Sequence, residues 1–184
     1  MRIVAGTLGG RRIKAPPGRG TRPTSDRVRE AVFSMLGDLT DLTVLDLFSG
    51  SGALGIEALS RGAMSATFVE PNQTAMRVLR ENLAALGLKE RAITHRRDWR
   101  AALESEAVAG RRYDVCVADP PYSMTSGFAS RVDAVFPLLT PGARVVVEHS
   151  RTFEPRLEGL IDVRVKRYGN TAVTIGSYGE GGGG

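Results

Sequence analysis

The run Val44-Leu45-Asp46-Leu47-Phe48-Ser49-Gly50-Ser51-Gly52-Ala53-Leu54-Gly55 constrains the fold more than any other stretch of this sequence. An apolar segment too short for a helix meets a glycine-rich turn, and the chain resumes with the helical pattern Ile56-Glu57-Ala58-Leu59. A strand that passes through such a turn into a helix opens a βαβ unit, which needs parallel neighbours for its strand. Short apolar runs predict those neighbours: strands near 43–48, 65–70, 91–95, 113–118 and 143–148, with helical patterns in the gaps. The clearest helix covers 72–86, where Ala75, Val78, Leu79, Asn82, Leu83 and Leu86 share one face before Gly87 stops it. Upstream, Ser25-Asp26 offers a helix cap, and Val28, Val32, Met35 and Leu36 form a face that ends near Gly37. At the other end Val163, Val165 and then Val173, Ile175 flank a turn containing Gly169-Asn170, which predicts an antiparallel strand pair at the sheet edge. The pattern as a whole predicts an α/β fold: a mostly parallel seven-stranded sheet with helices on both faces, binding ligands at the strands' carboxyl ends.

A chain of 184 residues, 42% apolar and 24% charged, suits one domain and argues against wholesale disorder. No apolar run approaches the ~18 residues of a membrane span, and the first residues lack a secretory leader's pattern, so a cytoplasmic protein with no membrane partner is expected. Cys116 has no second cysteine to pair with, and within Val115-Cys116-Val117-Ala118 it reads as a small buried hydrophobe. His95 and His149 are too far from it and from each other to suggest zinc, and no metal is expected.

The net charge of +5 has a location. Residues 1–24 hold Arg2, Arg11, Arg12, Lys14, Arg19 and Arg22 with no acid, leaving 19 basic against 20 acidic groups in the remainder. This segment is rich in glycine and proline, so it reads as an N-terminal basic hairpin or arm, tethered by Ile3, Val4, Leu8 and Ile13, whose cations are free to contact RNA phosphates. The blander reading is a disordered basic tail. The organisation expected is therefore an arm over 1–24, a catalytic domain over 25–178 and a flexible glycine-rich tail over 179–184.

Gly50, Gly52 and Gly55 match the spacing of a dinucleotide-binding turn, and Glu70 lies 20 residues beyond Gly50 at the end of the next strand. A nicotinamide enzyme is thus one reading. Asp46 favours another, because a carboxylate four residues before the first glycine repels a pyrophosphate and attracts a cation. S-adenosylmethionine carries a sulfonium and an ammonium and no phosphate, and Glu70 can accept the ribose hydroxyls of either nucleotide. Asp98, followed by Trp99, could accept from an adenine amino group beside an apolar wall, or simply cap the next helix.

After the fourth strand the chain reads Asp119-Pro120-Pro121-Tyr122. Two prolines stiffen the backbone and remove two donors, leaving carbonyl oxygens, a carboxylate and a ring at the ligand edge of the sheet. That set suits a flat base with an exocyclic amine. Asp119 and the Pro120 carbonyl can accept its N–H bonds and turn the nitrogen lone pair toward a methyl donor, while Tyr122 stacks on the ring.

With these residues in view, the sequence resembles the RsmD family of bacterial small-subunit (16S) rRNA guanine-N2 methyltransferases. The resemblance runs from Arg2-Ile3-Val4-Ala5-Gly6 through Arg22 to Glu30, the glycine turn and Asp119 to Tyr122, as far as Tyr168-Gly169. Ser25 stands where the family more often has threonine. The resemblance implies a Rossmann-like class I S-adenosylmethionine-dependent methyltransferase fold, with S-adenosylhomocysteine as product. Its implied partner is small-subunit ribosomal RNA, free or in the assembling 30S particle, and the protein is expected to act as a monomer. Asp46, Gly50, Gly52 and Glu70 would bind the donor and Asp119 to Tyr122 the base, with Arg22 to Glu30 near them. Two other functions compete: a DNA adenine-N6 methyltransferase, which uses a similar motif, and a non-catalytic RNA-binding module on the same fold.

Overall fold

The computed structural model describes residues 1–16, 26–153, 155 and 157–179, and of Tyr122 the backbone alone. Arg19, Arg22, Ser25 and the terminal glycines 181–184 lie outside the described residues. The elements run α1 (Asp26–Leu36), β1 (Thr43–Leu47), α2 (Ala53–Ser60), β2 (Ser65–Val69), α3 (Gln73–Leu86), β3 (Ala92–His95), α4 (Trp99–Val108), β4 (Tyr113–Ala118), α5 (Tyr122–Ala129), β5 (Leu139–Ser150), β6 (Leu160–Tyr168) and β7 (Thr171–Tyr178).

Each boundary has a local cause. Asn72 caps α3 by accepting the Ala75 N–H at 3.0 Å, and Gly87 ends it at φ 72°, where a side chain would be strained. Gly37, at φ 71°, closes α1 in the same way. The α1 face differs from the expected one: Arg29 and Phe33 are buried with Val28, Val32 and Leu36, whereas Met35 is only partly covered.

Among the described residues the strands form one sheet ordered β3-β2-β1-β4-β5-β7-β6. The first five are parallel; β7 pairs antiparallel with β5 and with β6, so the expected edge hairpin is present, with β7 inside and β6 outside. The β5 strand is longer than its apolar run, extending from Leu139 because irregular pairing with β4 carries it past Pro141 and Gly142.

From β1 the chain steps outward through β2 to β3, then returns to the other side of β1 as β4. The strand order therefore reverses between β1 and β4, where open α/β sheets form a crevice at the carboxyl ends. One face is buried under α1, α2 and α3 around Phe33, Leu59, Phe68 and Leu79; the other lies under α4 and α5 around Trp99, Phe128 and Val135.

The arm belongs to this core. Its ends pair at Arg2 and Arg12, as expected of a hairpin, and Ile3 and Ile13 join the first cluster while Leu8 packs against it. Glu57, fully buried on α2, accepts the Val4 and Ala5 N–H groups at 2.7 and 2.9 Å, and the Thr7 N–H donates to the Ser60 carbonyl. On α3, Asn82 exchanges hydrogen bonds with the Lys14 backbone.

Candidate active site at the carboxyl edge of the sheet

The turn after β1 is held open by three residues in left-handed backbone: Phe48 at φ 63°, Gly50 at 54° and Gly52 at 84°. Ser49 pins it to the neighbouring strand, donating to the Asp46 carbonyl and exchanging hydrogen bonds with Val69. The glycines have different reasons to be glycine. A Cβ on Gly52 would lie 2.2 Å from Leu79 Cδ1 and one on Gly55 2.3 Å from a Phe68 ring carbon, so both are set by packing; at Gly50 a Cβ would meet nothing within 4 Å. Gly50 therefore borders open space.

Asp46 is 1% exposed, and its Oδ2 accepts the Gly55 N–H at 2.9 Å. Burial pushes its pKa up to about 8, against the Gly55 hydrogen bond and with the negative charges of Asp119 and Glu70 reinforcing the rise. The charges of Asp119 and Glu70 thus act on Asp46 from two other strand ends. Glu70 accepts the Gly50 N–H on one oxygen and the Asn72 N–H on the other, at 2.9 and 2.8 Å, which locks the turn to the start of α3. Among the described residues neither Asp46 nor Glu70 forms an ion pair, and a sulfonium or ammonium group fits such a cradle better than a phosphate does.

Asp119 follows β4 at the same edge, beside Phe48, its N–H directed at the Leu47 carbonyl at 3.4 Å. The next two residues differ: Pro120 is buried and Pro121 exposed. The Pro121 carbonyl accepts from the Met124 N–H at 2.7 Å and the Thr125 hydroxyl at 3.2 Å, starting α5; the Pro120 carbonyl has only a 3.5 Å approach from Thr125. The turn thus commits the second carbonyl to its own helix by two bonds and the first by one longer bond.

The other expected site residues are placed differently. Asp98 caps α4, accepting the Arg100 N–H at 2.9 Å, and is exposed. Trp99 is 3% exposed and packs edge-on against Phe128, with Phe48 closing the aromatic trio. It supports the turn from the face opposite Asp46. The arm's described cations are exposed but not idle: Arg2 pairs with Asp26, Lys14 with Glu81, and Arg11 donates to the Ala85 carbonyl, because the hairpin lies flat on its neighbours. Exposed pairs of this kind hold by only ~0–1 kcal/mol and yield readily to a phosphate.

Two residues escaped the sequence reading. Glu148 on β5 is 9% exposed and, by the β4–β5 register, stands level with Asp119 on the same face. Asn82, counted there as part of an apolar helix face, donates to both the Ser51 and Lys14 carbonyls and so ties the glycine turn to the arm. A polar residue on a buried helix face, and an acid ending a valine run, were the available signals.

A model of the family described as Conserved hypothetical protein 95 matches residues 1–177. The YlbH protein of Bacillus subtilis (strain 168), provisionally named an rRNA methyltransferase, is 38% identical over 180 residues, covering 95% of this chain and 97% of that one. Ribosomal RNA small subunit methyltransferase D of Escherichia coli (strain K12) is 38% identical over 123 residues, 66% of this chain and 60% of that protein. A solved structure of the Escherichia coli protein yhhF, provisionally named a methyltransferase, superposes with a TM-score of 0.84 at 30% identity, covering 98% and 99% of the two chains.

Proposed function

This chain belongs to the Conserved hypothetical protein 95 family, that of RsmD, and on that footing we propose that it methylates the exocyclic N2 amine of a guanine in small-subunit ribosomal RNA. The observation that best supports the reading is that Asp46 and Glu70 hold the glycine turn from two strand ends, through the Gly55 and Gly50 N–H groups, at the edge where Asp119 follows β4 beside β1. S-adenosylmethionine, when bound, supplies a methyl group on a positively charged sulfur. Asp46 and Glu70 hold the donor: the first offers negative charge to its cationic end, and the second offers the remaining lone pairs of its oxygens to ribose hydroxyls. Gly50 leaves room for the chain to approach it.

Asp119 and the Pro120 carbonyl orient the amine. Its lone pair is delocalised into the purine, so the protein's task would be to fix the direction of the nitrogen and to draw the pair out of conjugation. Orientation of that kind can contribute ~7–11 kcal/mol, and each hydrogen bond to a charged group ~1.5–3 kcal/mol. Asp119 or water would take the proton that the amine gives up on methylation. Tyr122 is assigned to stacking on the base. The exposed arm, with Arg2, Arg11, Arg12 and Lys14, is assigned to the phosphates of free rRNA or of an assembling 30S particle.

The test is to incubate the purified chain with labelled donor and small-subunit particles or RNA, then digest and weigh the modified nucleoside. N2-methylguanosine is the expected product. Label on adenine-N6 in duplex DNA, or donor binding with no transfer to any ribosomal substrate, would refute it.

A further inference from the structure

Away from the rim, a groove of about 780 Å³ runs between the outer side of α3 and the edge strand β3. Four cations line it, Arg77, Arg80, Lys89 and Arg96, all exposed, and Glu81 is its one acid among the described residues. That acid is already answered: Lys14 bonds it at 2.8 Å and Arg77 at 3.3 Å. Arg80 directs two guanidinium nitrogens at the neutral Thr94 hydroxyl, each at 3.2 Å, which fixes the fork over the strand and leaves its charge uncompensated. Arg80, Lys89 and Arg96 therefore present like charge to one shared space, which suits an anion.

The groove also has a direction. At one side it meets the arm, where Lys14 and Arg11 rest on α3 at Glu81 and Ala85. At the other it ends at Arg96, next to His95, whose carbonyl accepts the Glu70 N–H at the rim. Resting on the reading of the site as an RNA methyltransferase, we propose that this groove carries the phosphate backbone of RNA flanking the target base, from the arm across α3 to the acidic rim. Arg80, Lys89 and Arg96 are its phosphate contacts. The charge sum over residues 25–184 hides this track because acids elsewhere balance it.

The experiment uses the full chain with purified small-subunit ribosomal RNA as probe. In the triple variant Arg80→Gln, Lys89→Gln, Arg96→Gln, the log–log dependence of RNA affinity on salt should flatten by about 2, at ~0.7 per single-strand contact, with at least ~10-fold weaker binding at low salt. Calorimetry with S-adenosylhomocysteine on the same variant should return the parent affinity, showing the fold and donor site intact. An unchanged slope in a variant that still binds S-adenosylhomocysteine overturns the proposal. A second readout does not depend on that variant folding: in Lys89→Cys the new thiol is exposed while Cys116 is fully buried. RNA should slow its alkylation by a maleimide at least ~10-fold, in keeping with cover by a bound polyanion; equal rates with and without RNA overturn the groove. Both readouts report binding alone, so failure of the parent chain to methylate any RNA would sink the catalytic reading and leave this result standing separately.

Discussion

Replacing Asp46 with asparagine should make the ligand-free protein more stable while weakening its grip on the methyl donor. Asparagine keeps an oxygen for the Gly55 N–H, now 2.9 Å from Asp46 Oδ2, and removes the ionisable group. The aspartate carboxyl titrates near 3.8 in the unfolded chain and at about 8 in the folded one. Between those values the unfolded state has released a proton that the folded state still holds, so stability is full below 3.8 and falls as pH rises, by ~1.4 kcal/mol per unit. Above about 8 both states are ionised and the loss stops growing. At neutral pH the interval is roughly three units, or about 4 kcal/mol. Urea unfolding of both proteins in steps from about pH 5 to about pH 8 should show the Asp46→Asn advantage climbing with pH at close to that slope. S-adenosylmethionine should bind the variant at least ~10-fold more weakly, since its cation would draw the proton off Asp46 and pair with the carboxylate, which asparagine cannot offer. A stability difference that stays flat across the range would refute the reasoning, because burial among Glu70 and Asp119 would then not be opposing ionisation.

Asp119→Ala should cut kcat by at least ~100-fold with donor affinity nearly unchanged, since it removes a contact to the reacting amine; an equal loss of donor binding, measured by calorimetry, would move Asp119 into the donor cradle. Glu57→Gln should lower stability to urea by about 3 kcal/mol and speed proteolytic cleavage within residues 1–16, because one amide oxygen cannot replace a carboxylate that serves Val4, Ala5 and Arg61. Gly52→Ala should cost about 2–3 kcal/mol, combining left-handed backbone with the Leu79 clash, while Gly87→Ala, left-handed but facing open space, should cost only about 1 kcal/mol.

What could be read in advance was what short-range pattern determines. The strands betray themselves because a parallel sheet covered on both faces needs unbroken apolar runs, and Asp46 stands out as the charge inside one of them. The β6–β7 turn was legible from Gly169-Asn170 for the same reason. The glycine turn was recognisable, but not the division of labour within it: that Gly52 yields to Leu79 and Gly55 to Phe68 depends on side chains brought from α3 and β2. The arm's hairpin and its apolar tethers were legible, but its polar anchors Glu57, Ser60 and Asn82 were not, because they sit 50 or more residues away in the chain and carry no local sign of the bonds they make. Asp98 caps α4 through one oxygen, a role that spacing alone could not separate from a ligand contact.

Charge sums were the weakest guide, and the reason bears on function. Residues 25–184 nearly balance, yet that sum conceals an acidic rim at the switch between β1 and β4 and a basic track along α3 and β3. Side by side, these fields sort the two partners of the proposed reaction. Phosphates are drawn to the track and turned away from Asp46, Glu70 and Asp119, whereas a sulfonium is drawn to the rim and repelled by Arg80 and Arg96. An RNA strand held by its backbone in the groove can then enter the rim only with an uncharged base, and Asp119 with the Pro120 carbonyl meets that base by its amine edge. Separation of opposite charges along one sheet edge would thus exclude the wrong occupant from each place before any base is read.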